Sequence, residues 1–361
     1  MVLRARQGAM MHEIKRLPED FLVEEITPEG KVLEFGKKPR FVKGGGDQLV
    51  CVLEKKDWDT LLAIRRVCEA LRISQKRVGF AGTKDKRSWS TQRISIWNAK
   101  KEDVEKLRLK DIELKPLTCS SERVELGNLE GNRFTVKVYS DKPPRKLREV
   151  WNYFGVQRFG ETRPITHLVG KAMVDGSLED AVRIYLAETS LKERDDALQA
   201  RKRLAESWDC KAALAYFPQR LTFERTLLGH LAQYPNDYAG ALRRLPKNLK
   251  LMFVHAYQAA LFNAFIDYAR KKGLRVKTGP LVGYESSLST EEKRFLKMEG
   301  VELDAFRCRS LPECGSRGER RDLKVKLGGF KVVKKRKGWC VVRFSLPKGS
   351  YATVALNQLF G

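Results

Sequence analysis

The segment GFAGTKDKRSWSTQ, at residues 79–92, places one carboxylate between two cations. Asp85 follows Lys84 and precedes Lys86, and Gly82 ends the apolar stretch just before them. Neighbouring positive charge keeps a carboxylate ionised, which suits a nucleophile that must attack near neutral pH. From these residues alone, a solvated Lys-Asp-Lys turn is the more common outcome. The segment therefore predicts a tight connection that holds one carboxylate among cations, with the solvated turn as the alternative.

Five further segments accompany this one in a fixed order along the chain. They are KRLPEDFLVEE at 15–25, LGNLEGNRFTVKV at 126–138, NYFGVQRFG at 152–160, YQAALFN at 257–263 and FSLPKGSYAT at 344–353. Together the six segments resemble the motifs of the TruD family of tRNA pseudouridine synthases, in which AG-x-KDK carries the catalytic Asp. Trp89, Ser90, Asn357 and Gln358 depart from the family pattern, and none of them alters Asp85. The resemblance covers nearly the whole chain.

The resemblance implies a reaction and a set of site residues. In the reaction the N-glycosidic bond of a uridine breaks, the uracil rotates, and its C5 joins the ribose. The implied residues are Asp85 as the catalytic carboxylate, attacking either ribose C1′ or uracil C6, and Lys15, Phe21, Asn152 and Phe154 as substrate-binding residues. Among them, Phe154 is expected to stack on the flipped base, Asn152 to orient the catalytic loop, and Lys15 to lie beside Asp85. Core packing is the alternative for Phe154, and a solvated surface position is the alternative for Lys15.

Hydrophobic periodicity outlines the elements that must position these residues. Strands are predicted over 21–26, 49–53, 93–97 and 133–139, with a helix after Trp58 that either Asp57 or Asp59 could cap. From about Gly176 the pattern becomes helical, and a helix over 249–271 is too apolar for an exposed position. Residues 289–292 form a capping box, and strands resume near the C-terminus.

These elements predict an α+β protein with a helical insertion. The resemblance implies a pseudouridine synthase catalytic domain with a mixed central β-sheet, interrupted by a mainly helical TruD-type insertion domain. The predicted boundaries place the catalytic domain at 1–175 and 325–361, and the insertion at 176–324.

The charge balance indicates the class of partner. The net charge is +26, from 71 Lys and Arg against 45 Asp and Glu, so the surface should attract polyanions. Nucleic acid is the leading partner, and the resemblance implies tRNA, with the D-arm uridine at tRNA position 13 as the target. Basic runs at 145–148, 317–321 and 334–337 are candidates to contact RNA, although each run alone is more often a solvated face.

Several sequence features argue against a cofactor, a zinc site and a membrane span. The sequence has neither a GxxxxGK[ST] loop nor a strand-linked GxGxxG, so we expect no cofactor, and this disfavours an RNA methyltransferase. Seven scattered cysteines indicate reduced thiols and no zinc site. We expect no membrane span and no signal peptide, and therefore a cytoplasmic protein. The main rival is a non-catalytic RNA-binding or remodelling protein with the same fold, and the oligomeric state is left open.

Overall fold

The computed structural model describes residues 12–361, so most of the N-terminal segment used for the signal-peptide expectation lies outside the described residues. Contacts between residues divide the chain into two compact units. We call residues 12–150 and 325–361 the sheet unit, and residues 151–324 the helical unit.

The described residues form twelve strands and eleven α-helices. The strands are Phe21–Ile26 (β1), Gln48–Lys56 (β2), Val78–Phe80 (β3), Trp89–Trp97 (β4), Ile112–Ser120 (β5), Gly131–Tyr139 (β6), Glu149–Trp151 (β7), Thr278–Leu281 (β8), Glu319–Asp322 (β9), Lys324–Lys326 (β10), Gly328–Arg336 (β11) and Trp339–Pro347 (β12). The helices are Thr60–Leu71 (α1), Lys101–Glu105 (α2), Thr166–Val174 (α3), Leu178–Ala187 (α4), Asp195–Ser207 (α5), Cys210–Tyr216 (α6), Thr222–Gln233 (α7), Tyr238–Arg243 (α8), Lys247–Lys272 (α9), Thr290–Glu299 (α10) and Ala352–Phe360 (α11).

The sheet unit is built on one mixed sheet, which contains eight of the strands described over residues 12–361. Its order is β11-β12-β6-β1-β4-β2-β5, with β3 paired to β4. β1 and β4 are parallel, and the other pairs are antiparallel. The predicted mixed central sheet is therefore confirmed. Because β1 and β4 are neighbours, the segment that precedes β4 lies beside the N-terminal motif.

Helix α1 packs on one face of strand β2, the face that carries the alternating apolar residues of β2. Leu49, Cys51 and Leu53 are buried in one cluster with Ile64 and Val67 of α1. Successive strand residues point to opposite faces, so these three residues share one face. The N-cap of α1 is Asp59 rather than Asp57, and its carboxylate accepts the backbone N–H groups of Leu61 and Leu62.

The helical unit is organised around α9. Its buried residues lie on all sides of the helix, from Lys250 to Ala269, which is typical of a core helix. Helix α3 approaches α9 closely at Gly170, where a Cβ atom would lie 1.9 Å from the Phe253 carbonyl oxygen. By length and composition α9 could also cross a membrane, with a mean hydropathy of 1.2, but 67% of that apolar window is buried inside the structure. The prediction that this helix packs inside the protein is confirmed.

The units and the predicted domains share one boundary. The helical unit ends at Lys324 and the second part of the sheet unit begins at Val325, and the predicted domain boundary lies at the same position. The first division falls at Trp151, whereas the prediction placed it at Gly176, so residues 151–175 group with the helices. This segment contains α3, whose contacts are with α9 and α4. The assignment of the two parts as a catalytic domain and an insertion stays a prediction.

Candidate active site

Asp85 lies in the loop between β3 and β4 of the sheet unit, and its carboxylate faces solvent. The side chain is 42% exposed, and its Oδ2 atom lies 2.5 Å from the Lys15 Nζ atom, whose side chain is 17% exposed. Lys15 adopts a left-handed backbone conformation, with φ of 60°, just before the turn that leads into β1. The structure therefore brings Lys15 and Asp85 together although 70 positions separate them in the sequence.

Two buried polar residues hold the backbone of this loop. Gln92, in β4, donates its Nε2 hydrogen to the carbonyl oxygen of Gly82 at 3.0 Å. The hydroxyl of Thr60, in the first turn of α1, accepts the backbone N–H of Lys84 at 2.9 Å. Both side chains are fully buried. Because buried polar groups need partners, these bonds fix the loop and satisfy the two residues together.

A buried lysine lies directly beneath the carboxylate-bearing residue. Lys55, at the end of β2, has no exposed surface, and its Nζ atom lies 2.6 Å from the carbonyl oxygen of Trp58, 3.2 Å from that of Asp85 and 3.5 Å from that of Lys84. The Ser88 hydroxyl also donates to the Asp85 carbonyl at 2.5 Å. The backbone of Asp85 is thus fixed by hydrogen bonds that do not involve its side chain.

The cation that neighbours Asp85 in sequence is not the one that pairs with it. Lys84 is buried, and its Nζ atom lies 3.0 Å from Glu25 Oε2 in β1. The other Glu25 oxygen accepts the backbone N–H of Arg93 at 3.1 Å. Lys86 is exposed. The loop is therefore not the solvated turn that was the alternative, because Lys84 anchors it to the sheet. The positive charge beside the Asp85 carboxylate comes from Lys15.

Replacing Glu25 by Gln is expected to lower the free energy of unfolding by about 3–5 kcal/mol, because Lys84 would stay buried without a counter-charge. The Glu25 and Lys84 side chains are 0% and 5% exposed. Urea denaturation measures the change. Asp175→Asn is the control, since it breaks the surface pair with Lys171, and it should cost less than about 1 kcal/mol. Equal losses in both variants would contradict a structural role for the buried pair.

The ring of Phe21 packs against the ammonium group of Lys15. It is 2% exposed and belongs to the core cluster that includes Phe134, whose ring centroid lies 6.0 Å away. The Lys15 Nζ atom lies 4.2 Å from the centroid of the Phe21 ring, within the range of a cation–π contact. Phe21 thus contacts Lys15 directly, and its contact with a substrate stays a prediction.

Asn152 and Phe154 lie together in the helical unit. The Asn152 amide Nδ2 donates to the carbonyl oxygen of Asp322 at 2.9 Å, and Arg321 donates to Asn152 Oδ1 at 2.7 Å. The Arg321 guanidinium carbon lies 4.2 Å from the centroid of the half-buried Phe154 ring. The Asn263 side chain holds the backbone of Phe154 through two hydrogen bonds, of 2.8 and 3.0 Å. These contacts join the segment at 152–160 to the segment at 257–263.

Sequence reasoning missed two residues of these sites. Lys55 follows Leu49, Cys51 and Leu53 at alternate positions, so a lysine on the apolar face of β2 was the available signal. Arg321 was noted only as part of a basic run, and nothing in the run indicates its contact with Asn152. Over residues 12–361, no group of three or more His, Cys, Asp or Glu side chains is placed to hold a metal ion.

Comparison with known proteins assigns the family. The model of the family "tRNA pseudouridine synthase D (TruD)" matches residues 3–278 and 266–359. A probable tRNA pseudouridine synthase D of Methanopyrus kandleri is 37% identical over 352 residues, which cover 90% of this chain and 88% of the relative. A second protein of that name, from Methanosarcina mazei, is 35% identical and covers 97% of this chain and 92% of the relative. The chain belongs to the TruD family.

A solved structure agrees with this membership of the TruD family. A crystal structure of a Methanosarcina mazei protein with the same family name matches with a TM-score of 0.78 and 34% identity, over 97% of this chain and 94% of that chain. The predicted fold class and the prediction of an enzyme of the pseudouridine synthase type are confirmed. The roles of Asp85, Lys15, Phe21, Asn152 and Phe154 stay predictions.

Proposed function

We propose that this chain isomerises a uridine of tRNA to pseudouridine, with the Asp85 carboxylate as its catalytic group. One observation carries the proposal: the carboxylate is 42% exposed and paired with Lys15, while the backbone beneath it is fixed by buried hydrogen bonds. A preorganised charged group that a substrate can reach is the arrangement that covalent or electrostatic catalysis requires.

The reaction needs only rearrangement of bonds within one nucleotide. The bond between uracil N1 and ribose C1′ breaks, a new bond joins C5 to C1′, C5 loses its proton and N1 gains one. The Asp85 carboxylate can attack ribose C1′ or uracil C6 to allow the base to rotate. Lys15 orients the carboxylate before the attack, because its ammonium group contacts Oδ2 directly.

The target base must leave its stack before the reaction, at a cost of about a few kcal/mol. We propose that Phe154 stacks on the flipped uracil, which contributes about 1–3 kcal/mol. The Phe154 ring is half-buried, and Asn263 holds its backbone, so the position of the ring is defined. Arg321 and Asn152 keep its surroundings ordered.

The relatives are named as tRNA-modifying enzymes, and the net charge of +26 suits a polyanionic substrate. We propose tRNA as the substrate, the D-arm uridine at position 13 as the target, and the cytoplasm as the place of action. The catalytic domain in this proposal is the one predicted at 1–175 and 325–361, and residues 176–324 form the insertion.

The test is to incubate the protein with tRNA that carries tritium at uridine C5 and to follow its release, then to map the modified position. Release at a single D-arm uridine supports both the reaction and the target. Release at another position supports the reaction but shows that the target is a different uridine. Tight tRNA binding without release supports the rival, a non-catalytic RNA-binding protein.

Strand β11 forms an exposed basic surface of the sheet unit. It lies at the edge of the sheet, and every residue from Lys331 to Gly338 is exposed. Lys137 lies 4.6 Å from the Trp339 ring centroid on the paired strand. Lysines on an edge strand also prevent sheet-to-sheet association, so this surface has two possible explanations. We propose that it contacts the phosphates of the RNA.

The double variant Lys334→Glu, Lys335→Glu is expected to raise the KM for tRNA several-fold and to leave kcat at saturating tRNA unchanged. Each lost phosphate contact should also reduce the slope of log affinity against log salt by about 1. Glutamates protect the strand edge as lysines do, so the variant should stay soluble. The control is Lys106→Glu, Lys110→Glu, which changes the net charge equally at other exposed positions. Equal losses in both double variants would mean that overall charge, and not β11, determines binding.

A further inference from the structure

Lys55 is a fully buried cation that forms no ion pair in the sheet unit as described. Its Nζ atom instead faces the carbonyl oxygens of Trp58, Lys84 and Asp85. A protonated lysine has three hydrogens to donate, and three carbonyl oxygens lie within 3.5 Å of it. The donors and acceptors therefore match only when Lys55 is charged.

We infer that Lys55 is a positioning residue, whose buried ammonium group holds the Asp85 backbone so that the carboxylate stays in place for attack. Two of its three acceptors belong to the loop, and the third, Trp58, lies at the end of the connection between β2 and α1. Lys55 thus ties the loop to the sheet and to the start of α1. The inference rests on the proposed catalytic role of Asp85.

The charge of Lys55 is sensitive to pH a little above neutrality. Burial lowers the pKa of its ammonium group to about 8, against the attraction of Asp59 and Asp85 and with the repulsion of Lys84. The residues opposite it on the neighbouring strands, Ser90 and Ile112, carry no charge. Above this pKa the neutral amine has two hydrogens and a lone pair, so one of the three carbonyl oxygens loses its hydrogen bond from Lys55.

The loss of this proton should affect activity and stability in opposite directions. The pKa of Lys55 is lower in the folded protein than in the unfolded chain, so the unfolded chain binds more protons above pH 8. Burying the charged ammonium group lowers the free energy of unfolding, and this loss is present in full below about pH 8. The loss decreases as the pH rises from about 8 towards the usual pKa of lysine, so the folded protein becomes more stable over that range. Unfolding caused by Lys55 therefore cannot account for a fall in rate above pH 8.

The experiment compares the dependence of kcat on pH in the wild-type chain and in Lys55→Met, using tritium release from labelled tRNA. We expect the wild-type rate to fall with a midpoint near pH 8, while the melting temperature does not fall in step. Lys55→Met should be at least about 10-fold slower at pH 7, because small displacements of a reacting group reduce rates strongly. Its pH profile should lack the limb near pH 8, and its KM for tRNA should change little. Ionisation of the substrate uracil would produce the same limb in both proteins.

Lys115→Met is the matched control, because Lys115 is a buried lysine of the same sheet that pairs with Glu54 at 2.6 Å and not with the loop. It should lose stability and keep the wild-type rate per folded molecule and its pH profile. If Lys55→Met does not fold, the titration of Lys55 followed by carbon-13 NMR must coincide with the fall in wild-type kcat, and a separation of the two midpoints would overturn the inference.

A parallel assay of Asp85→Asn separates this inference from the proposed function. An active Asp85→Asn enzyme would defeat the proposed function. A Lys55→Met enzyme with a normal rate and an unchanged alkaline limb, beside an inactive Asp85→Asn enzyme, would defeat only the role of Lys55.

Discussion

Asp85→Asn is expected to lower kcat by roughly 10⁴-fold or more, the scale observed when an enzyme loses its nucleophile. The amide has nearly the same shape as the carboxylate but carries no charge to attack carbon or to stabilise a developing cation. The loop should keep its conformation, because Lys55, Thr60 and Ser88 hold its backbone independently of the Asp85 side chain. The affinity for tRNA should therefore change little. Tritium release and equilibrium binding, measured on one preparation, test both statements.

Two further variants complete this test of Asp85. Asp85→Ala excludes recovery of the carboxylate through deamidation of the new asparagine, and it should be equally inactive. Asp103→Asn removes an exposed carboxylate from α2 and should keep the wild-type rate. Turnover by Asp85→Ala within a few-fold of the wild-type rate would remove Asp85 from the chemistry.

Phe154→Leu is expected to slow catalysis by roughly 5- to 150-fold while the fold is retained. Leucine fills similar apolar space without a π-face, so the variant loses the 1–3 kcal/mol that stacking on a base provides and about 1.5 kcal/mol of stability at most. The Phe154 ring packs edge-on against Phe262 at 5.7 Å, and Asn263 holds the backbone whichever side chain is present. The melting temperature and the rate per folded molecule should be measured together.

Phe306 is the matched control for this variant. It is fully buried and its ring stacks on Tyr257, so Phe306→Leu should lower the melting temperature and leave the rate per folded molecule unchanged. Phe154→Tyr keeps an aromatic face and should recover most of the rate. If Phe154→Leu instead lowers the melting temperature and leaves the turnover number unchanged, Phe154 is a packing residue and not part of the site.

The local elements could be predicted because each leaves a short-range signal. The strand predicted over 133–139 is present as β6, where Phe134, Val136 and Val138 alternate and are buried, and the capping box between Ser289 and Glu292 is present as predicted. The predicted domain boundary at Gly176 differs from the division of the compact units at Trp151, because the change to helical periodicity becomes visible in the sequence only with α4. The preceding segment, including α3, contacts α9, which lies far along the chain.

The catalytic candidate was predicted from sequence, and the family resemblance also implied that Lys15 lies beside it, but the rest of its surroundings was not predicted. Asp85 was identified from its motif, whereas Lys84 and Lys86 were expected to supply its electrostatic environment. In the structure Lys84 pairs with Glu25, and the cation beside Asp85 is Lys15. Neighbours in sequence can point to opposite sides of a loop, so the spacing of charges along the chain does not determine their pairing.

By itself, then, the sequence determined the family, the mixed α+β class and the candidate for the reactive carboxylate, because these depend on residue types at fixed local spacings. Only the tertiary structure decided that β1 lies beside β4, and that the Asp85 loop rests on the buried ammonium of Lys55. Periodicity shows which face of a strand is buried, but it does not show which strand lies next to it. The contacts that fix Asp85 join residues far apart in the chain, and they form only when the whole sheet assembles.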